Sequence, residues 1–268
     1  MLKLLFITNA PEIAVVAEKA GVDRIWIDLE SLGKELRQKN LNTVKSQHTV
    51  DDIRRIVPLL SKSKMLVRVN PWNPDSEREI DEVIDAGADI IMLPYWKRSI
   101  EVSNFISCVN GRCRTLLLLE TREAVECLDS VLEIPGVDEF HIGLNDLRIS
   151  YGYKDMFEPF GNGLLDELSQ KLGKAGIPFG IGGVGQFGLG LSPSPEELIA
   201  EHYRLGSSAV ILSRTFCNAG KLGDIRLIEE TLTRNVIILR ETEHWAAQLD
   251  EEAQRKNHIA VKMALGFY

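Results

Sequence analysis

Along this chain, uninterrupted apolar runs alternate with helically spaced stretches. Leu4-Leu-Phe-Ile-Thr8 reads as a strand and Pro11 to Ala20 as a helix. Pro11 suits a first turn, Ile13, Val16, Ala17 and Ala20 keep helical spacing, and Gly21 closes the element. Gly21-Val-Asp-Arg-Ile-Trp-Ile-Asp28 follows, and its shape recurs from Gly87 to Pro94, Gly136 to Gly143 and Gly206 to Ser213. Each is a glycine, two small or acidic residues and an apolar run, so the glycine enters φ > 0 and the chain turns into a buried strand. Lys64 to Val69, Arg114 to Glu120 and Ile177 to Gly183 lie between them, and with the opening strand the buried runs number eight. Helical patterns separate them at Asp51 to Leu60, Ser76 to Ala86, Glu101 to Val109, Leu164 to Ala175 and Pro195 to Leu205.

Apolar strands without alternation belong to a parallel sheet covered on both faces. A βα unit repeated eight times predicts an α/β protein, a (β/α)8 TIM barrel, with a doubly wound open sheet as the alternative. The barrel core is assigned to residues 1–222. Residues 223–268 hold no Gly or Pro between Gly223 and Gly266, which predicts a helical extension that completes the barrel and runs past it. Its tail, Glu241 to Leu265, carries Trp245, Leu249, Ala253, Ile259 and Met263 at partly amphipathic spacing. A helix that outruns its domain packs on a neighbour, so a homo-oligomer through this C-terminal helix is expected.

Composition narrows the function. With 268 residues, 44% of them hydrophobic, the chain can bury a large core. A net charge of -8 without any basic run argues against nucleic acid as partner. Cys108, Cys113, Cys127 and Cys217 form no C-x-x-C arrangement, which fits free thiols in a reducing compartment. The opening Met1-Leu-Lys-Leu-Leu-Phe-Ile is too short for a signal peptide and no apolar run approaches membrane-spanning length. No membrane partner and a cytoplasmic location are expected.

In a barrel all strand C-termini share one face, so Asp28, Glu30, Arg68, Glu120, Asn145 and Asp146 form one rim. Glu120 ends Thr115-Leu-Leu-Leu-Leu-Glu, and Asp146 follows the next apolar segment, Glu139-Phe-His-Ile-Gly-Leu. Two carboxylates at the ends of adjacent strands suit Mg²⁺ or Mn²⁺. The alternatives are pairing of Glu120 with Arg122 or Arg148 and capping of the next helix by Asp146. Gly143-Leu-Asn-Asp146 is a turn into a helix start, where backbone N–H groups take a substrate carboxylate or phosphate; Asn145 is counted with Gly143 as substrate-binding. Arg68 either pairs with Asp28 or Glu30 or clamps a substrate anion, and the two readings are compatible. Asp28 and Glu30, two apart, face one side and either orient a metal-bound water, hold Arg68 or cap a helix. Ser31 to Thr49, with Lys34, Arg37, Gln38, Lys39, Lys45 and His48, is long enough for a lid, a binding loop or a spacer. Gly180 to Gly190 lacks dinucleotide spacing and reads as a flexible rim loop.

Asp28-Leu-Glu30, Val67-Arg-Val-Asn-Pro71, Asp85-Ala-Gly-Ala-Asp-Ile-Ile-Met-Leu-Pro94, Leu119-Glu-Thr121, Gly136-Val-Asp138 and Gly143-Leu-Asn-Asp-Leu147 with Gly152 stand in register. In this the chain resembles the HpcH/HpaI aldolase and citrate lyase β-subunit family of metal-dependent barrels. The resemblance implies Glu120 and Asp146 as ligands of Mg²⁺ or Mn²⁺, Arg68 on the keto or enolate oxygen, the Gly143 turn as carboxylate binder, and Asp85 reaching a neighbouring subunit's site. It implies a lyase that forms or cleaves an aldol bond between pyruvate, or a related 2-oxo acid, and an aldehyde through an enolate stabilised at the metal. Ser31 stands where such aldolases carry histidine and Leu118 where they carry glutamine. His48, in the loop after the same strand, is the candidate base in its place, while His141 reads as a core residue. An acyl-CoA lyase and a catalytically silent barrel that binds a carboxylated metabolite are the alternatives.

Overall fold

A computed structural model describes residues 1–33 and 47–268. The elements in order are β1 (Lys3–Ile7), α1 (Pro11–Ala20), β2 (Arg24–Asp28), α2 (Val50–Ile56), β3 (Lys64–Arg68), α3 (Ser76–Asp85), β4 (Ile90–Leu93), α4 (Ser99–Val109) and β5 (Arg114–Leu119). They continue with α5 (Arg122–Glu126), α6 (Leu128–Leu132), β6 (Glu139–Ile142), α7 (Leu144–Tyr151), α8 (Glu158–Gly161), α9 (Leu164–Lys174), β7 (Phe179–Val184), α10 (Pro195–Leu205), β8 (Ala209–Leu212), α11 (Ala219–Leu222), α12 (Ile225–Ala246) and α13 (Glu251–Ala264). β1 to β8 pair in parallel, each with the next, and β8 returns to β1 to close the barrel.

Period-two alternation sorts each strand into two faces. Ile25, Ile27, Met65, Val67, Ile91, Leu93, Leu117, Leu119, Phe140 and Ile142 face outward into the layer under the helices. Leu5, Trp26, Leu66, Ile90, Met92, Leu116, Leu118 and Ala209 form a second cluster, the filled lumen. Each buried Val, Leu, Ile, Met or Phe among them stabilises the fold by about 1.5–3 kcal/mol relative to exposure. At the strand starts the lumen has a charged floor. Arg24 Nη2 lies 2.7 Å from Glu139 Oε2, and Arg114 Nη2 and Lys3 Nζ lie 2.9 and 3.9 Å from Glu139 Oε1. Counting up in twos places Asp28 above Trp26, Arg68 above Leu66 and Glu120 above Leu118, so the mouth is the next layer of the same stack.

Two sequence boundaries shift for local reasons. The helix expected over residues 51–60 ends at Ile56 and tightens into a 3-10 turn, Val57–Leu59, because Pro58 has no N–H for the helical ladder. The C-terminal stretch is not one continuous helix. Asp250 breaks it, its side chain accepting the Ala253 N–H at 2.8 Å to cap α13. α12 seats between α1 and α10 as the eighth barrel helix, and α13 folds back on α10 and α8. There Asn257 Nδ2 donates to Glu201 Oε1 at 3.1 Å and His258 Nδ1 lies 3.0 Å from Glu201 Oε2, a fully buried carboxylate. Among the described residues no helix is long and apolar enough to cross a membrane.

Candidate active site

Arg68 is held at the mouth by two carboxylates. Asp28 and Arg68 are register partners on β2 and β3. The guanidinium meets that carboxylate side-on, with Nε donating to Oδ1 at 2.8 Å and Nη2 to Oδ2 at 2.9 Å. Nη1 lies 3.2 Å from Glu30 Oε2, and the guanidinium carbon sits 4.9 Å from the centre of the Trp26 ring. Burial by itself pulls the Arg68 pKa down, but Asp28, then Glu30 and Glu120, outweigh it and keep the cation protonated beyond its usual range. Of the readings open for Asp28 and Glu30, the geometry supports holding Arg68.

Glu120 follows β5 and is buried. Its Oε1 accepts the Tyr95 N–H at 3.0 Å. Tyr95 holds a left-handed φ of 49°, uncommon for an aromatic residue and of the kind stored at functional sites. On the other side, Leu119 pairs with Ile142 and the Gly143 N–H donates to the Leu119 carbonyl at 3.0 Å, which levels Gly143 with Glu120. A Cβ built on Gly143 would stand 2.9 Å from Glu120 Oε2 and 3.0 Å from Glu120 Cβ. Only glycine lets the β6 exit approach that carboxylate so closely. Gly143 is also the N-cap of α7, whose third residue is Asp146, so Asp146 is not the cap itself. Asn145 and Asp146 are half-buried in this first turn. Among the described residues no group of three or more His, Cys, Asp or Glu gathers as a metal cage. Two carboxylates, with the remaining positions left to oxygens of water and substrate, are a donor set that Mg²⁺ or Mn²⁺ accepts. Gly143 brings the first turn of α7, which carries Asp146, up to the Glu120 carboxylate.

Other expected residues fall elsewhere. His48 Nδ1 accepts the Asp28 N–H at 3.0 Å, so the ring hydrogen is on Nε2. Held this way, His48 is a donor, and it can take a proton only by giving up the Asp28 amide. Asp85 is exposed at the last residue of α3, just before the β4 start, and is therefore at the end of the barrel opposite its own mouth. The proposed lid residues Lys34, Arg37, Gln38, Lys39 and Lys45 lie outside the described residues. His141 lies fully buried in β6, its Nε2 donating to the Gly182 carbonyl at 3.0 Å, and burial lowers its pKa to about 4.

Asn70, Glu79 and Tyr95 were missed as site residues. Asn70 Oδ1 accepts the Ser31 and Leu32 N–H groups, each at 2.9 Å, and its Nδ2 donates to Glu79 Oε1 at 2.8 Å. That clasp ties the β2 exit to the β3 exit and occupies Ser31 as a turn residue. Asn70 was visible within Val-Arg-Val-Asn-Pro, whereas Glu79 had no local signal and tyrosine does not announce a left-handed φ.

Fold and mouth together define a class: a closed parallel barrel with carboxylates after two neighbouring strands and an acid-held arginine across from them. The sequence profile of the HpcH/HpaI aldolase/citrate lyase family matches residues 3–181, and the chain belongs to that family. It is 28% identical over 100 residues to a 2-keto-3-deoxy-L-rhamnonate aldolase of Escherichia coli O1:K1, a match covering 37% of this chain and 34% of that enzyme. The chain thus spans about a third of the length of that relative. An HpcH/HpaI aldolase from Desulfitobacterium hafniense DCB-2 superposes with a TM-score of 0.64 at 15% identity, covering 85% of this chain and 93% of that one. The protein CitE from Mycobacterium tuberculosis, solved with magnesium and acetate, gives 0.59 at 12% identity over 96% and 97% of the two chains. These two likenesses bear on the fold.

Proposed function

We propose that this chain is a carbon–carbon lyase that forms or cleaves an aldol bond between pyruvate or a related 2-oxo acid and an aldehyde, with Mg²⁺ or Mn²⁺ held by Glu120 and Asp146. The observation that carries the reading is the close approach of the Gly143 turn to Glu120 Oε2 beside an arginine already oriented by two acids. Family membership, the aldolase relative and the magnesium complex of the similar CitE fold support it.

When bound, the cation would supply Lewis-acid polarisation of the keto group. The protein's own groups do the rest. The Tyr95 amide fixes Glu120 Oε1 and so directs Oε2 to the Gly143 turn. The leading amides of α7, at Leu144 and Asn145, lack helical acceptors and suit the substrate carboxylate. Arg68, planar and held by Asp28 and Glu30, stabilises the oxygen on which negative charge develops as the carbon–carbon bond breaks. His48, whose Nδ1 accepts the Asp28 N–H, is the imidazole at the β2 exit assigned to proton transfer with the substrate. Asp85, exposed, is kept for the mouth of a neighbouring copy, in a homo-oligomer met through the extension at residues 223–268.

The test is exchange of pyruvate methyl protons in deuterium oxide, followed by NMR with Mg²⁺ or Mn²⁺ present. Metal-dependent exchange that Glu120→Gln abolishes is expected. Exchange that survives a chelator, or that Glu120→Gln leaves at the original rate, overturns the reading.

A further inference from the structure

The rim after β7 and β8 forms a further part of the mouth. These strands are neighbours, with Val184 paired to Leu212, and the Ser213 N–H donates to the Val184 carbonyl at 3.0 Å. Ser213, Arg214 and Thr215 leave β8 in succession, and Gly185 leaves β7. Ser213 Oγ and Thr215 Oγ1 lie 2.8 Å apart. A Cβ at Gly185 would stand 2.9 Å from Thr215 Oγ1 and 3.9 Å from Ser213 Oγ. Glycine there lets the hydroxyl pair pack against the β7 exit, with Leu191 Cδ1 3.5 Å from the same point. Between the two hydroxyls in sequence, Arg214 is exposed and enters no ion pair or hydrogen bond through its side chain among the described residues. The contrast with Arg68, occupied by Asp28 and Glu30, is chemical: one arginine is spoken for and the other is available.

We propose that Ser213, Arg214 and Thr215, at the β8 exit beside Gly185, bind an anionic group, phosphate or carboxylate, at the far end of the aldehyde partner. Loops after the seventh and eighth strands are where barrels commonly hold phosphate. Guanidinium donors match either anion as a fork, and hydroxyls add donors beside it. β7 follows β6 round the mouth, which sets this rim beside the exit that carries Asp146 and within the face where an acceptor would lie. The identity of the molecule that carries the anion rests on the aldolase reading; the anion site itself does not.

Two measurements separate the two ideas. In the first, calorimetry of the purified protein with inorganic phosphate, and separately with acetate, reads the rim without any reaction. Saturable binding of at least one of them, weakened about tenfold or more by Arg214→Leu and by Thr215→Val, is expected. Absence of binding, or binding indifferent to both substitutions, overturns the anion site whatever the reaction. Whichever anion binds more tightly names the source.

In the second, kcat/KM is compared for glyceraldehyde 3-phosphate, succinic semialdehyde and propionaldehyde with pyruvate as partner. The charged aldehyde matching the tighter anion is expected to exceed propionaldehyde, and that ratio to fall about tenfold to a hundredfold in Arg214→Leu. A ratio kept in the variant overturns the assignment to the acceptor. Failure of pyruvate proton exchange in the unaltered protein removes the aldolase reading alone.

Discussion

Arg68 and Asp28 meet as a two-bonded fork across the β2–β3 register, at 2.8 and 2.9 Å, with both side chains nearly excluded from water. Breaking such a pair from one side leaves a buried charge. Asp28→Asn is therefore expected to lower unfolding stability by about 3–5 kcal/mol, measured by urea denaturation. Arg68→Lys keeps the charge but not the fork, and pyruvate proton exchange is expected to fall about a hundredfold while the fold persists by circular dichroism.

Glu120→Gln keeps the shape of the side chain and removes a charged ligand. Mn²⁺ affinity, followed by the electron paramagnetic resonance signal of free Mn²⁺, is expected to weaken at least about tenfold. An unchanged binding curve would place the metal elsewhere. Chelation of the metal in the unaltered protein is expected to stop exchange and re-addition of Mg²⁺ or Mn²⁺ to restore it.

Gly143 has a φ of -86°, open to any residue, so Gly143→Ala adds no backbone strain and acts through its close contacts with Glu120 and, at 3.3 Å, with Leu118 Cδ1. A clash of this size in a packed site costs about 1–3 kcal/mol and displaces the carboxylate. Exchange is expected to drop about a hundredfold, with a thermal midpoint lowered by several degrees. Full activity in this variant would separate Gly143 from the reaction.

His141 and His202 are both buried and neutral, with pKa values lowered by burial to about 4 and about 3. Unfolding releases them to the ordinary value near 6.5, so below that pH the unfolded chain binds more protons than the folded one. Their contribution to stability is complete above about pH 6.5 and is lost as the pH falls toward 4 and then 3. Each histidine contributes a slope of up to about 1.4 kcal/mol per pH unit. Urea midpoints measured from pH 7 to pH 5 are expected to decline, and His202→Gln to flatten the decline.

The barrel was readable because its signal is collective: eight apolar runs behind glycine turns, each too weak alone, agree on one topology. The rim acids were readable for the same reason, since a carboxylate after four leucines has few places to go. Boundaries set by one residue were harder, as Pro58 and Asp250 show. Tyr95 and Glu79 were not readable at all. One contributes a backbone N–H in an unusual conformation, the other an acceptor nine residues from the asparagine it meets, and neither leaves a trace in hydrophobic periodicity.

The charged floor made by Glu139 with Arg24, Arg114 and Lys3 closes the lumen opposite the mouth. Whatever binds inside must enter and leave by a single doorway. For the cleavage direction of the proposed reaction this dictates traffic: the aldehyde, nearer the opening, departs first, and the 2-oxo acid beneath it follows. Product inhibition is then competitive with substrate for the 2-oxo acid and noncompetitive for the aldehyde, a kinetic signature written by salt bridges at the far end of the barrel.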